Sequence, residues 1–280
     1  MEQGKANAVR YVSFRRPDGV SRFGRLEGEQ VVELGASMRD AIADGGLGTA
    51  ADGPLHALGD VELLPPIPDP GKIICIGLNY ATHLSEMGNQ RPDYPTVFTR
   101  FTNTLAAHGA PLVKPSNSDR FDYEGELAVI IGRAARHVRR EQAMEHVAGF
   151  SVFNDASVRD WQRHTSQFTP GKNFPSSGGF GPALVTSDEI GDLASIPVQT
   201  RLNGDLMQDQ RISDMLWPVA ELIEYLSSFT ELAPGDVIVT GTPGGVGDAR
   251  TPPVYMKAGD VVEVSIGEIG TLRNAVIAEG

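Results

Sequence analysis

Two acidic residues at alternating positions stand out in the middle of the chain. Residues 122–132 read Asp-Tyr-Glu-Gly-Glu-Leu-Ala-Val-Ile-Ile-Gly, so Glu124 and Glu126 lead into an apolar run. If this segment is a strand, its two-residue period places both carboxylates on one face and alternate apolar side chains on the other. Like charges at that separation repel, so either one acid keeps a proton or a cation lies between them.

A third acid completes a candidate metal site. Residues 149–155 form the next candidate strand, which ends at Asp155. Three carboxylates supply the all-oxygen ligand set of a hard cation and favour Mg²⁺, Mn²⁺ or Ca²⁺ over zinc. Solvent-facing acids on an edge strand would give the same Glu-x-Glu pattern, so these residues alone leave both interpretations open.

A histidine and a glutamate share a short predicted helix. Residues 79–88, Asn-Tyr-Ala-Thr-His-Leu-Ser-Glu-Met-Gly, indicate a helix that Gly88 ends. His83 and Glu86 are three residues apart and share a face, so the carboxylate can orient the imidazole and raise its basicity. Such a pair can activate water, although an ordinary surface pair has the same spacing.

Positive charge near the acids would be needed to bind an anionic substrate. Three acids with one divalent cation keep a net charge of about −1. Lys172, in the run Gly-Lys-Asn-Phe, can supply that charge, and Gln162 can bind substrate oxygens beside the metal. A solvated lysine in a Pro/Gly loop and a surface glutamine are the alternative interpretation.

A glycine-rich loop follows the apolar residues 237–239. Residues 240–248 read Thr-Gly-Thr-Pro-Gly-Gly-Val-Gly-Asp, without the Gly-Lys-Ser/Thr ending of a phosphate loop or the Gly-x-Gly-x-x-Gly of a dinucleotide site. Both nucleotide interpretations are therefore rejected. Backbone N–H groups around Gly241, together with Thr242, can instead cradle a carboxylate of the substrate. A tight turn without a ligand remains the alternative.

Strand signals outnumber helical ones. They occur at residues 8–14, 30–34, 73–78, 127–132, 150–154, 198–202, 236–240, 261–266 and 272–277. Helical periodicity is clearest at residues 139–147 and at 216–226, where Ser213 or Asp214 is a candidate cap and Pro218 must lie in the first turn. The strands do not alternate regularly with helices. We therefore expect a β-rich α+β fold and not a doubly wound one.

A proline-rich segment suggests the domain organisation. Four prolines lie within residues 64–71, and proline favours an extended connector. We expect a small N-terminal β-rich domain over residues 1–64, a linker over 65–71 and a catalytic domain over 72–280.

Composition excludes several classes of function. The 280 residues carry a net charge of −12, which disfavours nucleic acid and anionic membrane surfaces as partners. No apolar run approaches a membrane span, and the N-terminus has no apolar signal region, so we expect a cytoplasmic protein. The single cysteine, Cys75, lies in an apolar run and is expected to be a buried core residue.

Taken together, five motifs resemble the fumarylacetoacetate hydrolase family. In chain order they cover residues 77–83 with Glu86, 122–127, 153–162, 171–174 and 240–245. The resemblance spans about residues 70–280, and the N-terminal part is similar to the short extra domain of family members of this length.

The resemblance implies a fold, a cofactor and roles for individual residues. It implies a mixed β-sandwich roll, usually a homodimer, with Mg²⁺ or Mn²⁺ (Ca²⁺ in some crystals) held at Glu124, Glu126 and Asp155. The cation would chelate a 2-oxo acid and stabilise an enolate. His83 with Glu86 would activate water, while Lys172 and Gln162 would assist the charged intermediate.

The resemblance also implies a reaction class. We expect hydrolysis of a C–C bond in an acylpyruvate or other 2,4-dioxo acid, in the catabolism of aromatic compounds or sugars. Decarboxylation of an oxaloacetate-type acid, or isomerisation of a 2-hydroxy-diene-dioate, is the alternative at the same site. A non-catalytic metal-binding protein is a third possibility. Smaller family members often carry Phe-x-Lys-Pro where this chain has residues 98–101, so Arg100 is expected to replace that lysine and bind substrate.

Overall fold

The computed structural model describes residues 8–48 and 53–280. The N-terminal segment for which the sequence predicts no signal region therefore lies largely outside the described residues. The strands are β1 Arg10–Arg15, β2 Ser21–Glu27, β3 Gln30–Gly35, β4 Leu55–Ala57, β5 Glu62–Leu63, β6 Ile73–Gly77, β7 Thr96–Arg100, β8 Leu105–Ala106, β9 Leu112–Lys114, β10 Phe121–Asp122, β11 Gly125–Ile131, β12 Val147–Asn154, β13 Ser157–Val158, β14 Gly178–Thr186, β15 Pro197–Leu202, β16 Asp205–Arg211, β17 Val237–Val239, β18 Val261–Ile266 and β19 Gly270–Ala278. The α-helices are α1 Met38–Ala43, α2 Ala81–Glu86, α3 Arg159–Gln162, α4 Thr169–Lys172 and α5 Val219–Phe229.

Two large sheets form the body of the molecule. The larger runs in the order β4-β3-β2-β1-β14-β12-β11-β17-β6-β7, with β5 beside β1 and β8 beside β14. The smaller runs β16-β15-β18-β19-β9, while β10 and β13 form a separate pair. Parallel pairing occurs between β17 and β6, between β14 and β8, and between β19 and β9. The mixed, sheet-rich α+β fold predicted from the sequence is confirmed.

The two sheets pack face to face through apolar side chains. Leu127 and Val129 of β11 share one core cluster with Val198, Val264 and Leu272 of the smaller sheet. Side chains on the outer face of the smaller sheet are more exposed, so β15 and β18 alternate between buried and half-buried positions. This alternation is the period-two pattern that the sequence shows.

The N-terminal strands extend the larger sheet. Arg10 pairs with Val185, so β1 lies directly against β14. Within the predicted linker, Ile67 is fully buried, and the Ser13 hydroxyl donates to the Pro66 carbonyl at 2.7 Å. The boundary at residues 65–71 stays a proposal, and the segment is fastened to the strands before it.

Two helix predictions need correction. Residues 140–146 form a 3₁₀-helix, Arg140–His146, and not the predicted α-helix. Only Ala143 is buried in this segment, so it lacks the apolar face whose packing would stabilise an α-helix. Helix α5 begins after Pro218 and is not capped by Ser213 or Asp214, which belong to a separate 3₁₀ turn. Proline disfavours the helical conformation in the residue before it, which ends any helix entering from that side.

Other local predictions are confirmed. Helix α2 ends at Glu86, and Gly88 follows with a positive φ of 68°. Cys75 is buried in β6, and burial raises the pKa of its thiol, which keeps it protonated and unreactive. In the described ranges, no helix combines the length and apolar character needed to cross a lipid bilayer.

Candidate metal and anion site

Three acids converge at one end of the two central strands. One oxygen each from Glu124, Glu126 and Asp155 lies within 4.8 Å of the others, and all three residues are buried. Gly125 pairs with Asn154 across the β11–β12 ladder, so the residues flanking that pair are neighbours. The Asp155 amide also donates to the Glu124 carbonyl at 2.8 Å. Antiparallel register therefore brings together acids that are about thirty positions apart.

The close approach of the sheets requires glycine between the two glutamates. A Cβ at Gly125 would lie 2.2 Å from the Thr200 hydroxyl oxygen of β15 and 2.9 Å from a Val264 methyl carbon of β18. The Gly125 amide donates to the Gln208 side chain at 3.0 Å. Because any larger residue would push β11 away from the smaller sheet, glycine fixes the position from which both acids project.

The three acids differ in their electrostatic environment. Burial raises the pKa of Glu126 well above its usual value, and the neighbouring Asp155 and Glu124 charges raise it further. Burial also opposes ionisation of Glu124, but the Arg159 and Lys172 charges outweigh it and hold the pKa at about 2. Glu126 is therefore the acid of the cluster that lacks a compensating cation.

These donors fit a hard divalent cation. Glu126 accepts a hydrogen bond from the Gly241 amide at 2.5 Å, and no ion pair within the described chain neutralises it. A cluster of carboxylate oxygens with one uncompensated member matches the ligand chemistry of Mg²⁺ or Mn²⁺. Glu124, Glu126 and Asp155 are the residues that would hold such an ion.

Lys172 lies against the acids. Its Nζ atom is 2.5 Å from a Glu124 oxygen, 2.5 Å from an Asp155 carboxylate oxygen and 2.8 Å from the Asp155 carbonyl. It also lies 5.3 Å from the Phe98 ring centroid, within cation–π range. The preceding Gly171 permits this approach, since a Cβ there would come within 2.5 Å of Gln162. Lys172 is thus a buried cation of the site and not a solvated loop residue.

Arg159 is a buried cation for which the sequence alone predicts no role. Its Nε donates to Asp122 at 2.8 Å, and its Nη1 lies 2.6 Å from Glu124 and 3.1 Å from the Gln162 side-chain oxygen. Its Nη2 is buried without a hydrogen-bond partner. Its position four residues after Asp155, at the start of α3, is the sequence feature that could have identified it as a residue of the site.

Arg100 does not occupy the place expected of it. Its side chain donates to the Asp155 carboxylate, to the Ala156 carbonyl and, at 3.0 Å, to the Ser177 hydroxyl. It is buried behind Asp155 and does not line the cavity described below. The expectation that Arg100 binds substrate is therefore corrected: every nitrogen of its guanidinium is engaged by the protein, and it orients Asp155.

His83 and Glu86 form the predicted pair. The His83 Nδ1 atom is 2.8 Å from a Glu86 oxygen, and the other Glu86 oxygen accepts from the Gly245 amide at 2.7 Å. His83 is buried and lines the cavity. Because Nδ1 is taken, Nε2 is the ring nitrogen available to a bound molecule.

The glycine-rich loop holds carboxylates of the protein itself. Its Gly241 amide donates to Glu126, Gly245 donates to Glu86, and Gly247 donates to Asp122 at 2.8 Å. The prediction that this loop cradles a substrate carboxylate through Gly241 is corrected, because that N–H group already has an acceptor. Thr242 lines the cavity, and its hydroxyl accepts from the Gln208 amide at 2.8 Å.

One cavity of about 270 Å³ joins these groups. Its walls combine buried charge with apolar side chains and more exposed residues, namely Ile76, Gly77, Leu78, His83, Met87, Asn89, Phe98, Glu124, Glu126, Asp155, Arg159, Gln162, Arg163, Phe168, Lys172 and Thr242. The buried acids and His83 therefore face the same space, which is large enough for a small organic acid.

Comparisons with known proteins cover almost the whole chain. Residues 72–277 match the family described as fumarylacetoacetate (FAA) hydrolase C-terminal, and residues 9–66 match one described as Rv2993c-like, N-terminal. Oxaloacetate tautomerase fahd2, mitochondrial, from Xenopus laevis is 38% identical over 99% of this chain and 93% of the relative. Oxaloacetate tautomerase YisK from Bacillus subtilis is 42% identical over 79% of this chain and 75% of the relative.

Solved structures show the same fold. A 2-hydroxyhepta-2,4-diene-1,7-dioate isomerase from Mycobacterium marinum aligns with a TM-score of 0.82 and 32% identity, over 98% of this chain and 100% of that chain. Fumarylacetoacetate hydrolase from Exiguobacterium antarcticum aligns with a TM-score of 0.84 and 36% identity, over 97% and 100%.

Proposed function

Because the chain belongs to the fumarylacetoacetate hydrolase family, we propose that it is a divalent-cation-dependent enzyme that interconverts the keto and enol forms of a 2-oxo dicarboxylic acid of the oxaloacetate type. The names of the tautomerase relatives and of the isomerase structure support this reaction over the hydrolysis expected from the sequence. Keto–enol interconversion is closest to the isomerisation that is expected from the sequence as an alternative reaction at the same site.

The charge balance of the buried cluster carries the proposal. The carboxylates of Asp122, Glu124, Glu126 and Asp155 are opposed by three buried cations, Arg100, Arg159 and Lys172. The cluster is therefore slightly negative by itself and becomes positive with a divalent ion. A positive cavity floor of buried side chains attracts a small dianion and stabilises the negative charge that develops on its oxo oxygen.

The bound ion would supply a Lewis acid that polarises the oxo group. In the keto-to-enol direction, His83 Nε2 would take a proton from the carbon beside that group while the oxo oxygen gains a proton, and the reverse reaction would return a proton to the carbon. Glu86 fixes the imidazole by holding Nδ1. Lys172 and Arg159 keep positive potential at the cavity floor. Gln162 is held by Arg159 with its amide on the cavity wall.

Hydrolysis is a second candidate because the same His83–Glu86 pair can activate a water molecule. The structural similarity to the Exiguobacterium antarcticum hydrolase supports it. Tautomerisation moves only protons, whereas hydrolysis of an acylpyruvate adds water and releases pyruvate and a carboxylic acid. Decarboxylation of oxaloacetate releases CO₂. The three reactions are therefore distinguished by their products.

The test is a product assay with oxaloacetate and with an acylpyruvate, each with Mg²⁺, with Mn²⁺ or with a chelator. Relative to enzyme-free solutions with the same ion, we expect faster enol–keto equilibration of oxaloacetate, lost with chelator, and no faster net consumption. Enzyme- and metal-dependent release of pyruvate from the acylpyruvate would transfer the assignment to hydrolysis, and CO₂ released from oxaloacetate faster than in the enzyme-free solutions would transfer it to decarboxylation. No acceleration of any of them would contradict an enzymatic role. A homodimer, the choice between Mg²⁺ and Mn²⁺, and a cytoplasmic location remain predictions.

A further inference from the structure

Arg163 is an arginine on the wall of the cavity whose guanidinium is not tied to the buried acids. Its side chain is 48% exposed, against 1% for Lys172, so it lies toward the open end while the acids form the floor. Arg159 donates a hydrogen bond to Asp122, and Lys172 donates to Glu124 and Asp155. Arg163 makes none to these residues.

The guanidinium of Arg163 is oriented but not saturated. Its Nη2 pairs with Asp248, whose other oxygen accepts from the Tyr255 hydroxyl at 2.6 Å. Asp248 is nearly buried, so it forms a fixed support. Within the described residues, Arg163 Nε and Nη1 have no hydrogen-bond acceptor. An arginine held on one edge with free donors elsewhere is suited to binding a carboxylate.

The length of α3 sets the distance between Arg163 and the buried acids at the floor of the cavity. Arg159 begins the helix and touches Glu124, while Arg163 caps its end. Four residues of helix rise by about 6 Å, which is comparable to the separation of the outer oxygens in an extended four-carbon diacid. A substrate with its 2-oxo carboxylate end at the floor would therefore bring its second carboxylate toward Arg163.

We infer that Arg163 selects dicarboxylic over monocarboxylic 2-oxo acids by binding the carboxylate remote from the reacting carbon. The inference rests on the proposed function for the orientation of the substrate. It adds a specificity determinant that none of the predicted site residues supplies. Asp248 acts through Arg163 as a positioning residue, because it fixes the guanidinium and does not line the cavity.

The test compares two inert ligands by calorimetry on the Mn²⁺-loaded protein. Malate carries a 2-hydroxy acid end and a remote carboxylate, while oxalate carries the chelating end alone. For Arg163→Met we expect malate to bind about 10- to 100-fold more weakly, the loss typical of a charge-assisted hydrogen bond, and oxalate to bind as before. Arg163→Lys should restore part of the malate affinity, and Arg201→Met, on β15 outside the cavity, should change neither.

Unchanged malate affinity in Arg163→Met would overturn the inference. So would an equal loss for malate and oxalate, which would mean that the residue supports the acids at the closed end of the cavity. Failure of malate to bind the unaltered protein would also overturn it. The calorimetric assay needs no turnover, so it tests Arg163 separately from the proposed reaction. If Arg163→Met selectively lost malate binding but the unaltered protein did not tautomerise oxaloacetate, the proposed reaction would be wrong and the role of Arg163 in binding would still hold. In an active enzyme, Arg163→Met should raise KM for oxaloacetate.

Discussion

The ammonium group of Lys172 lies 2.5 Å from a carboxylate oxygen of Glu124, with both side chains buried. The same nitrogen also contacts Asp155, so one lysine compensates two of the three acids that face the cavity. The stability of the fold and the affinity for a divalent ion are therefore linked through one side chain.

Replacing Lys172 with methionine should destabilise the metal-free protein by about 3–5 kcal/mol, because removing one partner leaves buried acids uncompensated. Added Mn²⁺ should recover more stability in Lys172→Met than in the unaltered protein. Thermal melts with and without Mn²⁺ measure both effects, and Lys257→Met, at an exposed lysine, is the matched control. Equal Mn²⁺-induced shifts in both proteins would contradict the linkage.

His83→Ala should lower the rate of the metal-dependent reaction by about 10²–10⁴, the usual contribution of a positioned general base. Divalent-ion affinity should stay the same because His83 is not one of the three acids. Glu86→Gln should give a smaller loss and an altered pH–rate profile, since it removes only the charge that orients the imidazole. If calorimetry showed that His83→Ala also abolishes ion binding, the base assignment would be wrong.

Ion binding should strengthen as the pH rises. The pKa of Glu126 is raised in the metal-free fold by burial and by its acidic neighbours, so below that pKa a proton competes with the ion. We expect release of about one proton per ion bound, measured by calorimetry in two buffers of different ionisation enthalpy. The stability of the metal-free protein should change in the opposite direction from its ion affinity. The folded protein binds the Glu126 proton more tightly than the unfolded chain does, so this group lowers the free energy of unfolding as the pH rises above 4.5. Ion affinity independent of pH would contradict the prediction.

Gly125→Ala should destabilise the fold by about 1–3 kcal/mol through overpacking. The added methyl would meet Thr200 on a rigid neighbouring strand, and the shift of β11 would also move Glu124 and Glu126. Chemical denaturation measures the loss, and ion affinity should fall with it. Gly191→Ala is the control because its Cβ would meet open space. Wild-type stability and ion affinity in Gly125→Ala would show that the sheets tolerate a wider spacing.

Nine of the 17 strands in the two sheets could be predicted from the sequence, because alternation and apolar runs directly report burial. Strand β14 is among those that could not, although it lies between β1 and β12 in the larger sheet. Its sequence, Gly-Gly-Phe-Gly-Pro-Ala-Leu-Val-Thr, contains residues that disfavour strands. Close packing against β19 requires glycine in this strand, since a Cβ at Gly179 would lie 2.8 Å from the Asn274 side-chain oxygen. The local sequence does not show this requirement, because it depends on a strand that lies far away along the chain.

The acids of the site could be predicted, whereas the partners of the cations could not. Glu-x-Glu spacing and a strand ending in Asp155 are local patterns, so their convergence follows once the strands pair. Whether Arg100 faces substrate or Asp155 depends on a contact between residues 55 positions apart. The glycine-rich loop shows the same limit, because the acceptor of the Gly241 amide comes from β11.

The most direct measurement is the stoichiometry and affinity of Mn²⁺ binding to the unaltered protein and to Glu126→Gln, at a pH where both are folded by circular dichroism. Glutamine keeps an oxygen for the Gly241 amide but removes the charge that no cation compensates. The account predicts one Mn²⁺ per chain in the unaltered protein and, in Glu126→Gln, binding weakened by at least about 100-fold with a metal-free melting temperature no lower than before. Equal stoichiometry and affinity in the two proteins would contradict the assignment of the acid cluster as the metal site.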